Sequence, residues 1–401
     1  MLVKRVAVDK KCVLSFSCVS WVFWTFFAAS SAPTPLYPLY QREWGFDAVV
    51  LSVIFASYAV GMLSSLLVVG TLSDYLGRKP VLAAALLLEL IAMLLFMRAF
   101  DVQLLILARF FQGLATGTAT AVLMAFLLDI DEGRAPVYSS VLPLCGVACG
   151  VVFSSVLIDH SAAPLRLVYG VFGVCFVVQL IMMFLLVEPV RRRDGAWQSL
   201  RPVIGIPLPA RKVFFSILPM NTAVWSLNGF FLTLVPSLLL GGIASGSALA
   251  SGLVVALMSF SAALAVIALK GRDYRLVLRL GVLLLAMGVL GILGACYFAK
   301  AYLFCVFTLI AGAGSGAVYV GISKCLLPLS PPDQRAALAS SYYIVSQLAL
   351  IVPSVSVGVL VRFIGLSSAT YIYGGCVLLF LAFSGFFTER QLRLERASVA
   401  A

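Results

Sequence analysis

The sequence predicts an all-α membrane protein whose twelve transmembrane helices form two pseudo-symmetric bundles of six. Hydrophobic residues make up 62% of the 401 residues and charged residues only 11%, a composition that soluble domains do not require. Because one membrane-spanning helix needs about 20 apolar residues, a succession of such segments with short loops would occupy the whole chain. The second half also repeats features of the first. No sizeable soluble domain is expected.

Twelve apolar segments follow one another along the chain. The first, preceded by Lys4 and Arg5, has the pattern of a cleavable signal peptide. We expect it to remain as a transmembrane helix, because its apolar stretch continues through Pro35 toward Tyr40 and eleven more segments follow. The predicted spans are 13–40, 47–71, 80–98, 102–129, 137–159, 164–187, 213–240, 247–270, 276–299, 301–327, 336–362 and 366–387.

The basic residues predict the orientation. If the N-terminus is cytoplasmic, most of the 28 Lys and Arg residues fall in cytoplasmic segments, as the positive-inside rule requires. Both termini are therefore expected to be cytoplasmic. The net charge of +12 then reflects topology and attraction to anionic membrane lipid. The sequence shows no basic face with interleaved aromatic residues, the pattern that would indicate nucleic-acid binding.

The two halves align without a gap when Trp24 is placed on Trp225, which also places Pro35 on Pro236. Two repeats of six spans have the same orientation in the membrane and can meet around a central cavity. The repeat predicts an N-terminal bundle at 1–188, a C-terminal bundle at 213–388 and a cytoplasmic tail at 389–401. A cytoplasmic linker at 189–212, rich in proline and charge, is expected to join the bundles.

A charged loop, residues 70–80, lies between the second and third spans and is called the signature loop below. Its pattern Gly-x-x-x-Asp-x-x-Gly-Arg-Lys resembles the signature of the major facilitator superfamily, and the resemblance, which covers essentially the whole chain, is to the drug/proton antiporter branch. Its glycines allow a tight turn. The residues that carry the pattern are Gly70, Asp74, Gly77, Arg78 and Lys79.

The resemblance implies that the signature loop is a cytoplasmic latch, which holds the outward-open state and releases for the inward-open one. In the family, the Asp of the loop meets the start of span eleven, here Asp74 and residues 333–336. The Arg of the loop pairs with an acid at the end of span four, here Asp129, with Asp131 and Glu132 as competitors. The alternative is that these are ordinary loop charges with incidental pairing.

Arg109 lies within span four, in the sequence Arg109-Phe-Phe-Gln112-Gly113. An arginine inside a span usually faces a cavity or a partner. This pattern resembles the second motif of the family, whose Arg is implicated in proton coupling or substrate binding. The alternative is an Arg that extends to the membrane interface.

Glycines at helix-packing spacing occur in spans four and five. Gly113 and Gly117, and likewise Gly146 and Gly150, are four residues apart, which allows neighbouring helices to pack closely. Val151 stands where the antiporter branch has proline, so this sequence departs from that pattern.

Glu89 is the only acidic residue near the middle of a predicted span. A carboxyl removed from water holds its charge less well and can exchange a proton, so Glu89 is a candidate proton carrier. Span three is peripheral in the resembling family, which makes a neutral, hydrogen-bonded structural role an equal alternative. Arg109, Gln112 and Glu89 are the candidates for proton coupling or substrate binding.

By the same resemblance, spans one, four, seven and ten line the cavity. Their aromatic and amide side chains suit a bulky, mostly apolar substrate, although some of the aromatics are expected only to pack or to lie at the interface. Span one carries no acid, so a neutral or anionic substrate fits Arg109 at least as well as a cation does. The candidate lining residues are Trp24, Thr34, Tyr37, Asn221, Trp225, Asn228 and Tyr319.

The sequence therefore predicts a monomeric secondary active transporter in a bacterial inner membrane, which exports a small amphipathic drug or metabolite by proton antiport. One alternative is proton-coupled uptake of an organic anion, and a remote one is a non-transporting membrane sensor or scaffold. No enzyme site is indicated. A single histidine, and nine cysteines that lie mostly inside apolar segments, give no metal-ligand spacing. No cofactor is expected.

Overall fold

The computed structural model describes residues 10–190, 192–200, 204–239, 247–330 and 334–400, and the regular structure in these ranges is helical. The first half contains α1 (Lys10–Ser31), a 3-10 turn at Thr34–Leu36, α2 (Tyr37–Trp44), α3 (Ala48–Val69), α4 (Ser73–Leu76), α5 (Arg78–Met97), α6 (Val102–Ile130), α7 (Ala135–His160) and α8 (Pro164–Met182). The second contains α9 (Ala196–Ser199), α10 (Leu208–Thr233), α11 (Val235–Leu238), α12 (Ala248–Leu269), α13 (Tyr274–Tyr297), α14 (Ala301–Leu326) and α15 (Arg335–Ala400).

Ten helical segments of the described chain are long and apolar enough to cross a membrane. One of them, Ala337–Gly385, has 49 residues and breaks at Gly365, where φ is 79° and ψ is 165°. It therefore accounts for the eleventh and twelfth predicted spans. The seventh is α10, which is less apolar because it carries Arg211, Lys212 and two asparagines. The predicted all-α membrane fold is confirmed.

Prolines interrupt the first predicted span. α1 ends at Ser31, and the chain passes Pro33 and Pro35 in a 3-10 turn before α2 begins at Tyr37. Proline lacks an N–H and cannot donate to the carbonyl four residues earlier. Carbonyl oxygens at the end of α1 are therefore available to side chains of other helices.

Small residues bring the helices of the first half together. Gly113 and Gly117 of α6 lie against the backbone of α3, and Gly146 and Gly150 of α7 lie against the backbone of α1. A Cβ atom at any of the four would overlap its neighbour. These glycines therefore set the distance between helices that carry site residues.

The two halves contact each other through α3 with α15 and through α7 with α12. Ser52 of α3 donates a hydrogen bond to the carbonyl of Ser354 at 3.1 Å. Gly252 of α12 lies directly against the hydroxyl of Ser155 in α7. Both contacts lie toward the end of the helices that the charge distribution predicts to be extracellular.

Candidate functional site

A cavity of about 210 Å³ lies between the two halves. Helices α1, α3, α6 and α7 line it from one side, and α10, α12, α14 and α15 line it from the other. Most lining residues are aromatic, aliphatic or Met, and Arg109 is the one charged residue among the described residues that line it. Such a cavity suits a largely apolar ligand with a few polar groups.

The structure places most of the predicted cavity residues around this cavity. Those that line it are Thr34, Asn221, Trp225, Asn228 and Tyr319. Trp24 and Tyr37 are not among the described lining residues. Trp24 packs against the hydrophobic core, and Tyr37 is buried in contact with Arg109.

Arg109 is held by neutral groups. Its side chain is buried, and the residue is 1% exposed. Nε donates to Tyr37 Oη at 2.7 Å, and Nη2 donates to the same oxygen. Nη1 donates to the carbonyl of Ser30 at 2.8 Å and to Gln112 Oε1 at 2.6 Å. The guanidinium is also 5.5 Å from the ring of Tyr58, so a fixed cation stands beside the cavity.

Gln112 connects Arg109 with Glu89. Its Nε2 donates to Glu89 Oε1 at 3.2 Å and to the carbonyl of Ala29 at 3.1 Å. The Ala29 carbonyl can accept because Pro33, four residues later, has no N–H. Glu89 is fully buried, and its Oε2 has no hydrogen-bond partner among the described residues.

Glu89, Gln112, Arg109 and Tyr37 are called the Arg109 network below. It links α5, the peripheral helix of the predicted span three, to the wall of the cavity. The family resemblance places Glu89 away from the cavity. In the structure, Gln112 and Arg109 connect Glu89 to the cavity wall.

Arg78 joins the signature loop to the end of α6. Gly77 adopts φ 98° and ψ 158°, a conformation that favours glycine. Arg78 begins α5 and is 7% exposed. Its Nε donates to Asp129 Oδ2 at 2.8 Å, and its Nη1 donates to Ser73 Oγ at 2.6 Å and pairs with Asp74.

The other residues considered for the latch lie elsewhere. Asp131 accepts hydrogen bonds from two following backbone amides, and Glu132 is exposed. Gly70 directly follows α3 and keeps helical φ and ψ angles. Asp333, near which the resemblance places the partner of Asp74, lies outside the described residues.

Glu188 caps α5, a role that no motif in the sequence indicates. Its Oε1 accepts from the backbone N–H of Arg78 and its Oε2 from that of Lys79, both at 2.8 Å. A carboxylate satisfies the free N–H groups of a helix N-terminus. Lys79 Nζ donates to the carbonyl of Leu186 at 2.7 Å. The end of the first half is thereby tied to the signature loop.

Polar contacts also join the two halves at their predicted extracellular end. Asp159, at the end of α7, accepts from Ser247 Oγ at 3.1 Å and from the backbone N–H of Leu249 at 3.2 Å. Asp47 and Arg362 form an ion pair at 3.9 Å. These contacts lie beyond the cavity from the signature loop, and the sequence did not identify them.

Sequence reasoning also missed the contribution of α3, α7, α12 and α15 to the cavity. The resemblance restricted the lining to spans one, four, seven and ten. Tyr342, Tyr343 and Gln347 of α15 line the cavity, as do Tyr58 and Met62 of α3. Two adjacent tyrosines and a glutamine in an apolar segment were the available signal.

The sequence model of the Major Facilitator Superfamily matches residues 19–290. The chain is 30% identical to "Multidrug resistance protein MdtL" of Citrobacter koseri over 311 residues, which are 74% of this chain and 76% of the relative. Proteins of the same name from Salmonella typhimurium and Vibrio parahaemolyticus are 30% and 27% identical over 312 and 320 residues, with the same shares covered. The family match contains the signature loop and the Arg109 network.

Proposed function

This chain belongs to the major facilitator superfamily, and we propose that it exports small amphipathic compounds from the cytoplasm in exchange for protons. The observation that carries the proposal is a mostly apolar cavity between two helical halves, with a buried arginine in its wall. The relatives are named multidrug resistance proteins, which supports drug-like substrates. Transport by this mechanism makes and breaks no covalent bonds, and we assign no enzymatic activity.

The two bundles, 1–188 and 213–388, are proposed to rock against each other around the cavity, with linker 189–212 as a cytoplasmic tether. The positive-inside rule supports cytoplasmic termini. With that orientation, the contacts between Ser52 and Ser354 and between Asp159 and α12 close the extracellular side. We take the structure as a state that is closed on the extracellular side. A monomer contains both bundles and is sufficient for this motion.

Within this scheme the signature loop acts as a latch. Arg78 is held by Asp129, Ser73 and Asp74, and Glu188 fixes its backbone. In this state Asp74 is paired within its own loop. Breaking that pair would free Asp74 for the N-terminus of span eleven, where a carboxylate is favoured.

Asp129→Asn is expected to reduce transport severalfold without reducing the amount of protein in the membrane. The substitution weakens a charge-assisted hydrogen bond to a buried guanidinium, a loss of about 1.5–3 kcal/mol. Asp131→Asn is the matched control, because within the described ranges the Asp131 carboxylate bonds to its own loop amides and to Arg134. Export rates normalised to the membrane level test the prediction. Equal rates for both variants would contradict the latch.

The Arg109 network is proposed to carry the proton. Glu89 is the buried group that can gain or lose one, and Gln112 transmits its charge state to Arg109 at the cavity wall. Deprotonated Glu89 would partly neutralise the guanidinium across Gln112, and protonated Glu89 would leave it uncompensated. Proton and substrate binding would thereby be coupled.

Accumulation of a chemically broad panel of compounds in bacteria that lack their main efflux pumps tests the proposed function. Cells that express the chain should accumulate less of its substrates, and an uncoupler should remove the difference. Arg109→Ala should behave as the empty vector at equal membrane level. If cells that express the intact chain accumulate every compound of the panel to the same level as cells with the empty vector, export of such compounds is contradicted.

Proton-coupled uptake of an organic anion is the second candidate function. Arg109 in the cavity wall and Val151 in place of the antiporter proline favour it. The same assay separates the two, since uptake predicts higher, uncoupler-sensitive accumulation. Detectable counterflow in liposomes would exclude a non-transporting sensor or scaffold.

A further inference from the structure

Arg109 is a buried cation whose hydrogen-bond partners, among the residues that the structure describes, are all neutral. In the part of the chain that the structure describes, its hydrogen bonds go to one hydroxyl, one carbonyl and one amide oxygen. Gln112 connects Glu89 to it. A cation surrounded by neutral groups in a medium of low dielectric constant strongly favours an arriving anion.

The two edges of the Arg109 guanidinium are occupied differently. Nη1 is fixed by the Ser30 carbonyl and by Gln112, which sets the plane of the group. Nε and Nη2 both donate to the single hydroxyl oxygen of Tyr37. This Nε–Nη2 edge is one that can take both oxygens of a carboxylate through two parallel hydrogen bonds.

We infer that the transported substrates are amphipathic carboxylic acids, whose carboxylate replaces the Tyr37 hydroxyl on the Nε–Nη2 edge of Arg109. Tyr37 is the first residue of α2, directly after the proline-rich break in the first span. A carboxylate offers Nε and Nη2 one oxygen each and adds the attraction of opposite charges, whereas the neutral hydroxyl offers both donors a single oxygen.

The remainder of the cavity fits the apolar part of such an acid. Phe27, Phe55 and Trp225 supply aromatic surface, and Met62 and Met258 supply adaptable apolar surface. Among the described lining residues there is no carboxylate to receive an ammonium group. A cationic substrate would meet Arg109 with like charge, whereas an aromatic acid meets it with opposite charge.

This inference rests on the proposed function only in taking the cavity as the transport site, and a binding measurement tests it alone. The probes are 2-naphthoate, its methyl ester and 2-naphthylmethylammonium, and the readout is quenching of the intrinsic tryptophan fluorescence of the purified full chain. The acid is expected to bind about tenfold more tightly than the ester. Quenching by the ammonium compound should not reach saturation.

Two variants identify the residues responsible. Arg109→Gln is expected to bind acid and ester equally, and its retained ester binding shows that the cavity is folded. Tyr37→Phe removes the hydroxyl that the carboxylate displaces, so acid affinity should rise severalfold while ester affinity stays unchanged. Equal binding of acid and ester by the intact chain, tighter binding of the ammonium compound, or no acid binding would overturn the inference.

Failure of the proposed function gives a different pattern. Preferential binding of the acid without gradient-driven transport in vesicles would leave the substrate assignment standing and remove proton-coupled export. Gradient-driven export of ester and ammonium compounds, with no preference for the acid, would support proton-coupled export and remove the assignment of carboxylic acids as substrates.

Discussion

Glu89→Gln is expected to lower gradient-driven export to the level of cells without the transporter. Gln keeps the size and the hydrogen bond of the buried side chain to Gln112 but can no longer bind and release a proton. Because Gln112 stands between Glu89 and Arg109, the substrate site should remain. Substrate binding and counterflow in proteoliposomes without a gradient are therefore expected to persist.

A matched control and a partial rescue make this result specific. Glu132→Gln neutralises an exposed acid of the loop between α6 and α7, and its gradient-driven export should equal that of the intact chain. Glu89→Asp retains a titratable carboxyl and should restore part of the activity. Full gradient-driven export by Glu89→Gln would show that Glu89 is a neutral structural residue.

Gly252→Val is expected to abolish transport by preventing closure of the extracellular side. A Cβ at Gly252 would overlap the hydroxyl of Ser155 across the interface of the two halves, and overpacking of a close contact costs about 1–3 kcal/mol. That cost falls only on the state in which α7 and α12 meet at this point. The equilibrium should therefore shift toward an outward-open cavity.

Accessibility from outside the cell measures that shift. In a cysteine-free background, Leu232→Cys places one thiol in the cavity lining, and a membrane-impermeant maleimide should label it faster when Gly252→Val is present. Gly294→Val is the control, since nothing lies within 4 Å of a Cβ at that position of α13. Unchanged labelling by Gly252→Val would mean that this contact does not close the cavity.

The helices, the signature loop and the buried arginine could be predicted because each depends on residues close together in sequence. Apolar segment length determines the spans, and the spacing of Arg109 and Gln112 on one helix places them side by side. The proximity of Asp129 to Arg78 was accessible only through the family resemblance. The sequence offered three neighbouring acids, and only the geometry of the end of α6 selects Asp129.

The features that could not be predicted from the sequence are contacts between residues of distant segments. Glu89 and Gln112 lie on different helices, and their hydrogen bond depends on how α5 rotates against α6. The cap that Glu188 provides for α5 likewise needs the end of the first half to fold back. The residue pattern within a single helix contains no information about either contact. The break at Pro33 had a local signal, but its consequence, a free carbonyl at Ala29 for Gln112, required the neighbouring helix.

Proton movement during substrate transport tests the central claim most directly. Everted membrane vesicles that contain the chain would be acidified inside by respiration, and the internal pH followed with a fluorescent weak base. Addition of a substrate identified in the accumulation assay is expected to raise the internal pH, because protons leave as substrate enters, and Glu89→Gln vesicles should show no change. Further internal acidification on substrate addition would contradict antiport and establish symport instead.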